Sequence, residues 1–423
     1  MSIGFAETLL LQNGIIHTIS GETITNGQVM IAGDKIQSVG IATDQPPKAD
    51  KIINLNGQHV YPGMIALNSA VGLSEIEAIR ATQDNTEVGE FTSDVQSWIA
   101  VNPDSEIIPV TRVNGITHIE PAPKGGVVAG LSGLLQLSGW TIEQMEVKQP
   151  VALHVYWPGM GLDTTPKEKF KDPKKFKSLD DQAHEREEKL KSLAEFFLNA
   201  RAYAAGRDAL AKSGGADPGV NPPWEAMLPV VRGQIPIMVH ADDLRQIKAA
   251  LRWAKTNDYK IVIVGGADAC RVGDELATQK VPVILESVFD QPAHDQDAYD
   301  VNFKAAEVLH HAGVKVAFGM GSASFNAPMA KNLPYLAAQA VAFGLPEDEA
   351  LKGLTLYPAQ ILRVADRLGS IEPGKEATLF VCDGSILDLR ANVKHLWIAG
   401  QEISLETRHT RLYEKYKNRP LPK

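Results

Sequence analysis

The sequence predicts an α/β protein: a (β/α)8 barrel that carries a composite β-sandwich formed by both chain ends. Residues 62–363 alternate short apolar strands with segments of helical spacing, whereas residues 1–61 and 364–423 show mainly strand patterns. The chain has 423 residues. Strand–helix alternation over roughly 300 residues favours a closed barrel of parallel strands over an open sheet.

Short strands occupy both ends of the chain. LLLQNGIIHTI, QVMIAGDKIQSVG and KIINLNGQHVYPG alternate apolar and polar residues and contain Asn-Gly or Gly-Asp pairs, which favour hairpin turns. GSIEPGKEATLFVCDG and VKHLWIAGQEI repeat the strand pattern near the end. Because neither set has enough strands to be stable alone, we expect the two ends to pair in one domain.

The middle of the chain supplies the barrel strands. The candidates are IIPVTRVNGITHIEP, VALHVYWP, IPIMVHA, KIVIVGGA, VPVILES and VKVAFGMG, separated by helices such as DLRQIKAALRWAKTND. A helical insertion is expected around 166–215, with its apolar face formed by Leu190, Leu193, Phe197, Ala200 and Ala204. Its place after a barrel strand puts it at the catalytic rim, where it could cover a pocket.

Composition excludes several classes of protein. Lys and Arg number 42 against 51 Asp and Glu, a net charge of -9, which argues against nucleic acid or an anionic membrane as partner. Two cysteines, Cys270 and Cys382, cannot build a disulfide-rich scaffold or a four-cysteine zinc module. The opening MSIGFAETLL is no intact signal peptide, so a cytoplasmic protein is the default expectation. A periplasmic or secreted protein with a trimmed signal stays open.

Two glycine-rich segments resemble binding motifs but lack residues that those motifs require. GSIEPGK has the spacing of a phosphate loop, yet Glu376 stands where a magnesium-binding hydroxyl is needed. GGVVAGLSG, at Gly125–Gly133, fits no dinucleotide fingerprint, and we interpret it as a tight rim loop. No G-x-S-x-G elbow supports a serine hydrolase.

Four stretches resemble the amidohydrolase superfamily, in its imidazolonepropionase-like and prolidase-like branch. LLLQNGIIHTISGETITNGQVMIAGDKIQSVG resembles the opening strands, and LNGQHVYPGMIALNSAVG resembles the entry into barrel strand one. LTLYPAQILRVADRLGSIEPGKEATLFVCDG is similar to the last barrel helix and the return to the sandwich, and VKHLWIAGQEI to the closing strands. The resemblance implies the fold stated above over nearly the whole chain.

The resemblance also implies a divalent metal, which lowers the pKa of bound water and polarises a scissile carbonyl. In the family the metal is held by an H-x-H after strand one, histidines after strands five and six, an Asp after strand eight and often a carboxylated Lys on strand four. Only the strand-five histidine, His240, matches here. The other positions are held by Asn68 and Ala70, by His154 near the lysine position, by Gly265 or Gly266, and by Gly321 or Ser322.

From this pattern the sequence predicts a hydrolase of the amidohydrolase type with an altered site. His154, His240 and Glu286 are the predicted catalytic residues, and Asn68, Trp157 and Ser322 the predicted substrate-binding ones. His154 and His240 would hold at most one divalent ion, with zinc the first candidate, or none.

The alternative is a catalytically inactive relative that keeps the pocket and binds a small polar ligand or a partner protein. A small molecule is the expected partner in the first case, and a homo-oligomer stays open in both. Asp242 and Asp243 follow His240 and are expected to begin the next helix.

Overall fold

The computed structural model describes residues 7–170, 172–213 and 219–420, which contain two eight-stranded sheets. The strands are, in chain order, β1 (Thr8–Ile16), β2 (Ile24–Ala32), β3 (Lys35–Ile41), β4 (Lys51–Asn54), β5 (His59–Pro62), β6 (Met64–Ser69), β7 (Ile116–Pro121), β8 (Val128–Gln136), β9 (Glu146–Tyr156), β10 (Ile237–Ala241), β11 (Ile261–Gly265), β12 (Val283–Leu285), β13 (Val316–Phe318), β14 (Leu379–Cys382), β15 (Val393–Ile398) and β16 (Gln401–Glu402).

The helices lie mostly between barrel strands. They are α1 (Ile107–Arg112), α2 (Ile142–Met145), α3 (Leu179–Ser213), α4 (Pro222–Val231), α5 (Leu244–Asn257), α6 (Gly273–Thr278), α7 (Val301–His311), α8 (Leu333–Ala342), α9 (Glu347–Leu354), α10 (Leu356–Ile361) and α11 (Arg408–Lys417). Among the residues described, no helix is both long and apolar enough to cross a membrane.

Strands from both ends of the chain share the first sheet, in the order β16-β15-β14-β5-β1-β2-β3, with β4 paired to β1. The joint is an antiparallel pair between β5 and β14, in which Tyr61 faces Phe380 and Val60 faces Val381. Their apolar side chains are fully buried. The hydrogen bonds connect all these strands into a single sheet, so β5 depends on a partner more than 300 residues away in the chain.

The second sheet is a nearly closed barrel in the order β13-β12-β11-β10-β9-β8-β7-β6. A parallel bridge between Leu67 and Gly319 joins its two outer strands. Alternate residues point inward, and those nearer the amino-terminal ends of the strands form an apolar plug that includes Ile65, Leu67, Leu134, Ala152, Met238, Val262, Val264, Ile284 and Ala317. Polar groups on the inward face are therefore confined mainly to the opposite rim.

The third barrel strand corrects two expectations from the sequence: a rim loop at Gly125–Gly133 and a barrel made only of parallel strands. Residues in GGVVAGLSG are not a rim loop: Val128–Gln136 form β8, which is antiparallel to both β7 and β9. Antiparallel neighbours need only short connections. Within the described residues, β7 and β8 have no helix between them, and only the four-residue α2 lies between β8 and β9. The glycines serve packing: segment 91–96 runs alongside the first half of β8, and a Cβ at Gly130 would lie 2.7 Å from the carbonyl oxygen of Val95 in that segment.

The second barrel strand is shorter than predicted. Residues Ile107–Arg112 of IIPVTRVNGITHIEP form α1, and β7 begins only at Ile116. Gly115, with φ +82°, makes the turn between them. A short apolar run does not distinguish helix from strand by periodicity, which accounts for the error.

The insertion forms α3, whose buried residues are Leu193, Phe196, Phe197, Ala200 and Ala204. Phe197 packs edge-on against Trp253 of α5, with ring centroids 4.9 Å apart, and Phe196 stacks on Phe91 at 4.8 Å. The helix thus lies against the outer helices and against segment 91–96, which pairs with β8. Near its start, Arg186 donates to the carbonyl of Met160, which anchors α3 to the loop after β9.

The pairing of β5 with β14 predicts the effect of a truncation. Ending the chain before Leu379 removes β14–β16 and exposes one edge of β5, so we expect loss of cooperative unfolding or a fall in Tm of more than about 10 °C. Ending it after Glu406 removes mainly α11, which has no buried residue, and should change Tm by less than about 3 °C. Differential scanning calorimetry measures Tm for both truncated chains. A cooperative transition with the Tm of the full chain in the protein that ends before Leu379 would refute the dependence of β5 on β14.

Candidate active site

Polar side chains meet inside the barrel at the rim formed by the carboxyl ends of its parallel strands. They are Asn68 from β6, Glu120 from β7, His154 from β9, His240 from β10, and Glu286, which directly follows β12. In barrels this rim is where strand ends bring together residues that are distant in sequence.

His154 is the centre of a buried hydrogen-bond chain. Its Nε2 lies 2.8 Å from Glu120 Oε1 and 2.9 Å from Ser132 Oγ, and its Nδ1 lies 2.9 Å from His240 Nε2. His154, Glu120 and Ser132 are completely buried. Both ring nitrogens of His154 are therefore occupied by partners within the protein.

Two proton distributions satisfy these contacts. In the first, His154 is neutral: Nε2–H donates to Glu120, and Nδ1 accepts from His240 Nε2–H. In the second, which holds one proton more, His154 is an imidazolium that donates from both nitrogens, and His240 carries its proton on Nδ1. In the second distribution, the positive charge lies next to the Glu120 carboxylate.

Burial and the neighbouring His154 hold the pKa of His240 well below its usual range. His240 itself is consequently neutral at physiological pH. Tyr156 stacks on its ring with centroids 3.9 Å apart and donates a hydrogen bond to the carbonyl of Pro123 at 3.2 Å. The aromatic contact fixes the orientation of the imidazole at the rim.

Asn68 links this chain to Glu286. Its backbone N–H donates to Glu120 Oε2 at 2.8 Å, and its side-chain Nδ2 donates to Glu286 Oε1 at 2.5 Å. Asn68 has φ +49°, in the left-handed region that Asn tolerates better than most residues. Its Oδ1 is buried and has no hydrogen-bond partner within the described ranges.

Glu286 is an unusually weak acid for a carboxyl group and keeps its proton near neutral pH. Burial raises its pKa to about 8, against the opposing hydrogen bond from Asn68, and the nearby Asp242 and Glu120 carboxylates raise it further. At pH 7 the side chain is thus mainly protonated. Such a group can give a proton to a leaving group.

Glycines shape the space around these acids. A Cβ at Gly265 would collide with the carboxylate of Asp242, and one at Gly319 would lie 3.1 Å from Glu286 Oε1. At Gly321 a Cβ would lie 2.7 Å from Asn326 Nδ2. The strand-six and strand-eight positions therefore leave no room for ligating side chains while the carboxyl groups keep their present places.

The structure places the remaining predicted residues in different surroundings. Ser322 lies beside the site: its Oγ is 3.5 Å from Tyr156 OH, and its carbonyl accepts from Asn85 Nδ2 at 3.0 Å. Trp157 is not part of this cluster, because its ring packs on Trp253 in the outer layer, 5.5 Å between centroids. Asp243 caps α5, as expected from the sequence.

Four residues of the cluster were missed by the sequence reasoning: Glu120, Ser132, Tyr156 and Asn85. Glu120 carried a signal, since an acidic residue ends the apolar run ITHIEP of a barrel strand. Ser132 carried none, because the strand that presents it was read as a loop.

The two-metal centre implied by the resemblance does not fit these side chains. Ala70 and the glycines supply no donor atom, and His154 would have to give up a hydrogen bond to bind an ion. Within the part of the chain that the structure describes, no three His, Cys, Asp or Glu side chains are arranged to hold a metal ion.

Comparison with known proteins gives partial sequence matches. The amidohydrolase tasK of Hapsidospora irregularis is 25% identical over 180 residues, 42% of this chain and 18% of tasK. An imidazolonepropionase of Mesorhizobium japonicum is 26% identical over 149 residues, 35% of each chain. The matches thus span well under half of either relative.

Solved structures match over almost the whole chain. An amidohydrolase from Thermotoga maritima aligns with a TM-score of 0.80 and 25% identity, covering 94% of this chain and 99% of its own. A prolidase in complex with N-methylphosphonate-L-proline has a TM-score of 0.53 at 18% identity, with 94% and 99% coverage, and supports the fold alone. The sequence profile of the amidohydrolase family matches residues 139–403, more than half of the chain. The chain therefore belongs to the amidohydrolase family.

Proposed function

We propose that this protein is a hydrolase that cleaves a non-peptide or dipeptide C–N bond of a small molecule. The observation that carries the proposal is the pair of opposed pKa shifts at one rim: His240 is neutral and Glu286 is protonated near pH 7. Titratable groups whose environments push their pKa values apart are the usual sign of paired base and acid.

In the proposed reaction, His240 is the base. Its Nδ1 takes a proton from water while its Nε2 proton passes to His154 Nδ1, so the positive charge arrives beside the Glu120 carboxylate. This transfer explains how a residue with a depressed pKa can accept a proton. The hydroxide adds to the carbonyl carbon of the substrate.

Glu286 is the proposed acid. As the C–N bond breaks, its carboxyl group gives a proton to the departing nitrogen, and the products are a carboxylic acid and an amine or their cyclic equivalents. A proton returned from the histidine pair through solvent restores Glu286. Asn68 positions Glu286 through the hydrogen bond from Nδ2, and Ser322 lies where it can contact a bound substrate.

One observation favours the alternative of an inactive relative that binds a small polar ligand or a partner protein. His154 and His240 bind each other rather than opening toward a common ligand, so the pair is satisfied without chemistry. Turnover of a panel of amides, dipeptides and cyclic imides separates the two functions, because a binding protein would release no product.

We further propose the domain limits 1–61 with 364–423 for a composite β-sandwich and 62–363 for a (β/α)8-type barrel. Support comes from the sheet that joins both chain ends and from the nearly closed second sheet.

The proposed acid predicts a pH profile. The protonated form of Glu286 is the active one, so kcat should fall as pH rises through about 8. Glu286→Gln should lower kcat about 10²- to 10⁴-fold and abolish that limb. His310→Asn, on α7 outside the barrel, is the matched control and should keep the parent profile. A Gln variant with the parent rate and profile would remove Glu286 from the mechanism.

The side chains available as metal ligands predict the metal content of the protein. We propose at most one divalent ion per chain, with zinc the first candidate and His154 and His240 as its ligands, or none, because too few ligands remain for two ions. Elemental analysis of untagged protein, purified without chelators, should give no more than one equivalent, and His240→Ala should remove what is bound. Two equivalents of zinc in the parent protein would contradict this proposal.

A further inference from the structure

The mouth of the barrel contains acidic side chains without counter-ions. Asp242 follows β10, and Asp290 follows the short turn after β12; both are exposed. Glu286, directly after β12, is more buried than either. Within the described ranges none of the three forms an ion pair. Their neighbours do: Asp268 and Asp297 both bind Arg271, at 2.9 and 2.6 Å, and Asp243 binds Arg245 at 3.2 Å.

The backbone at Gly265 brings these acids together. The α-carbon of Gly265 packs against the Asp242 carboxylate, and its carbonyl accepts a hydrogen bond from Glu286 N–H at 3.3 Å. Asp242 and Glu286 are thus held by the same glycine, and neither is paired with a Lys or Arg side chain within the described ranges.

Asn68 gives a second, independent indication of a ligand. The residue is 1% exposed, and its Oδ1 is an acceptor without a donor. The same amide group binds Glu286 through Nδ2, which fixes Oδ1 beside the acidic group. A buried acceptor that lacks a donor costs about 1–3 kcal/mol, so a ligand that donates hydrogen bonds here gains affinity.

We propose that the barrel mouth selects small substrates that carry a protonated amino group, attracted by Asp242 and Asp290 and donating a hydrogen bond toward Asn68 Oδ1. The inference rests on the proposed hydrolase function and names its substrate class: amides with a cationic amine. An alkylammonium ion supplies both the missing charge and the missing donors, since it has three N–H groups and no acceptor. Exposed carboxylates also attract cations over a distance, an effect that salt weakens.

The test uses matched pairs of ω-amino amides, from 3-aminopropanamide to 6-aminohexanamide, and the alkyl amides in which a methyl group replaces the ammonium. Isothermal titration calorimetry gives affinity, and ammonia release gives kcat/KM. We expect the cationic member of at least one pair to bind tenfold or more tightly, with affinity falling as salt rises. Equal affinity within every pair, or no binding of any, would overturn the inference.

Substitutions of Asp242 and Asp290 test whether these carboxylates cause the preference for the cationic amide. Asp242→Asn with Asp290→Asn removes two exposed charges and should reduce the preference in binding about tenfold, with the affinity for the uncharged amide unchanged. Asp258→Asn removes one exposed carboxylate after α5, at the opposite end of the barrel. It is the control for loss of a distant acidic charge and should retain the preference. A double variant with the parent preference would refute the assignment to these carboxylates.

The outcomes also separate this inference from the proposed function. Selective binding of the cationic amide without ammonia release supports the inference and contradicts the hydrolase. Ammonia release from both members of each pair at equal kcat/KM and equal affinity supports the hydrolase and overturns the inference.

Discussion

The fully buried carboxylate of Glu120 is the constraint on which the site depends. A charge inside a protein is tolerated only when hydrogen bonds surround it, and Glu120 obtains them from His154 and from the backbone of Asn68. The first contact fixes His154 so that its other nitrogen meets His240. The second holds Asn68 in a left-handed conformation, from which its side chain reaches Glu286. One buried charge thereby sets the geometry from Glu286 at one end to His240 at the other.

Part of this arrangement could be predicted from the sequence, because parallel strands end at the same rim of a barrel. That rule places Asn68, His154, His240 and Glu286 together without knowledge of their contacts. The alternation of side chains along a strand would also have excluded Trp157. If His154 points inward, Tyr156 does so too, and Trp157 must face the helices, where it meets Trp253.

The rest depended on facts that local patterns do not carry. An antiparallel strand within a mainly parallel barrel is set by long-range pairing, and its glycines gave the segment the appearance of a loop. Ser132 could not be predicted as a site residue for that reason. The start of β7 was misplaced because α1 and the strand share one apolar run, divided only at Gly115. Glu120 was the one missed residue with a readable signal, a charge inside a barrel strand.

The family scaffold is kept here with a different set of polar groups inside it. Where the resemblance implies metal ligands, glycines leave space that the carboxyl groups of Asp242 and Glu286 fill. Burial raises the pKa of Glu286, the nearby Asp242 carboxylate raises it further, and Glu286 therefore stays protonated near neutral pH. At the other side of the rim, burial and then the neighbouring His154 lower the pKa of His240 and keep it neutral. The rim thus combines a neutral imidazole with a protonated carboxyl group, the two groups that the proposed proton transfers use.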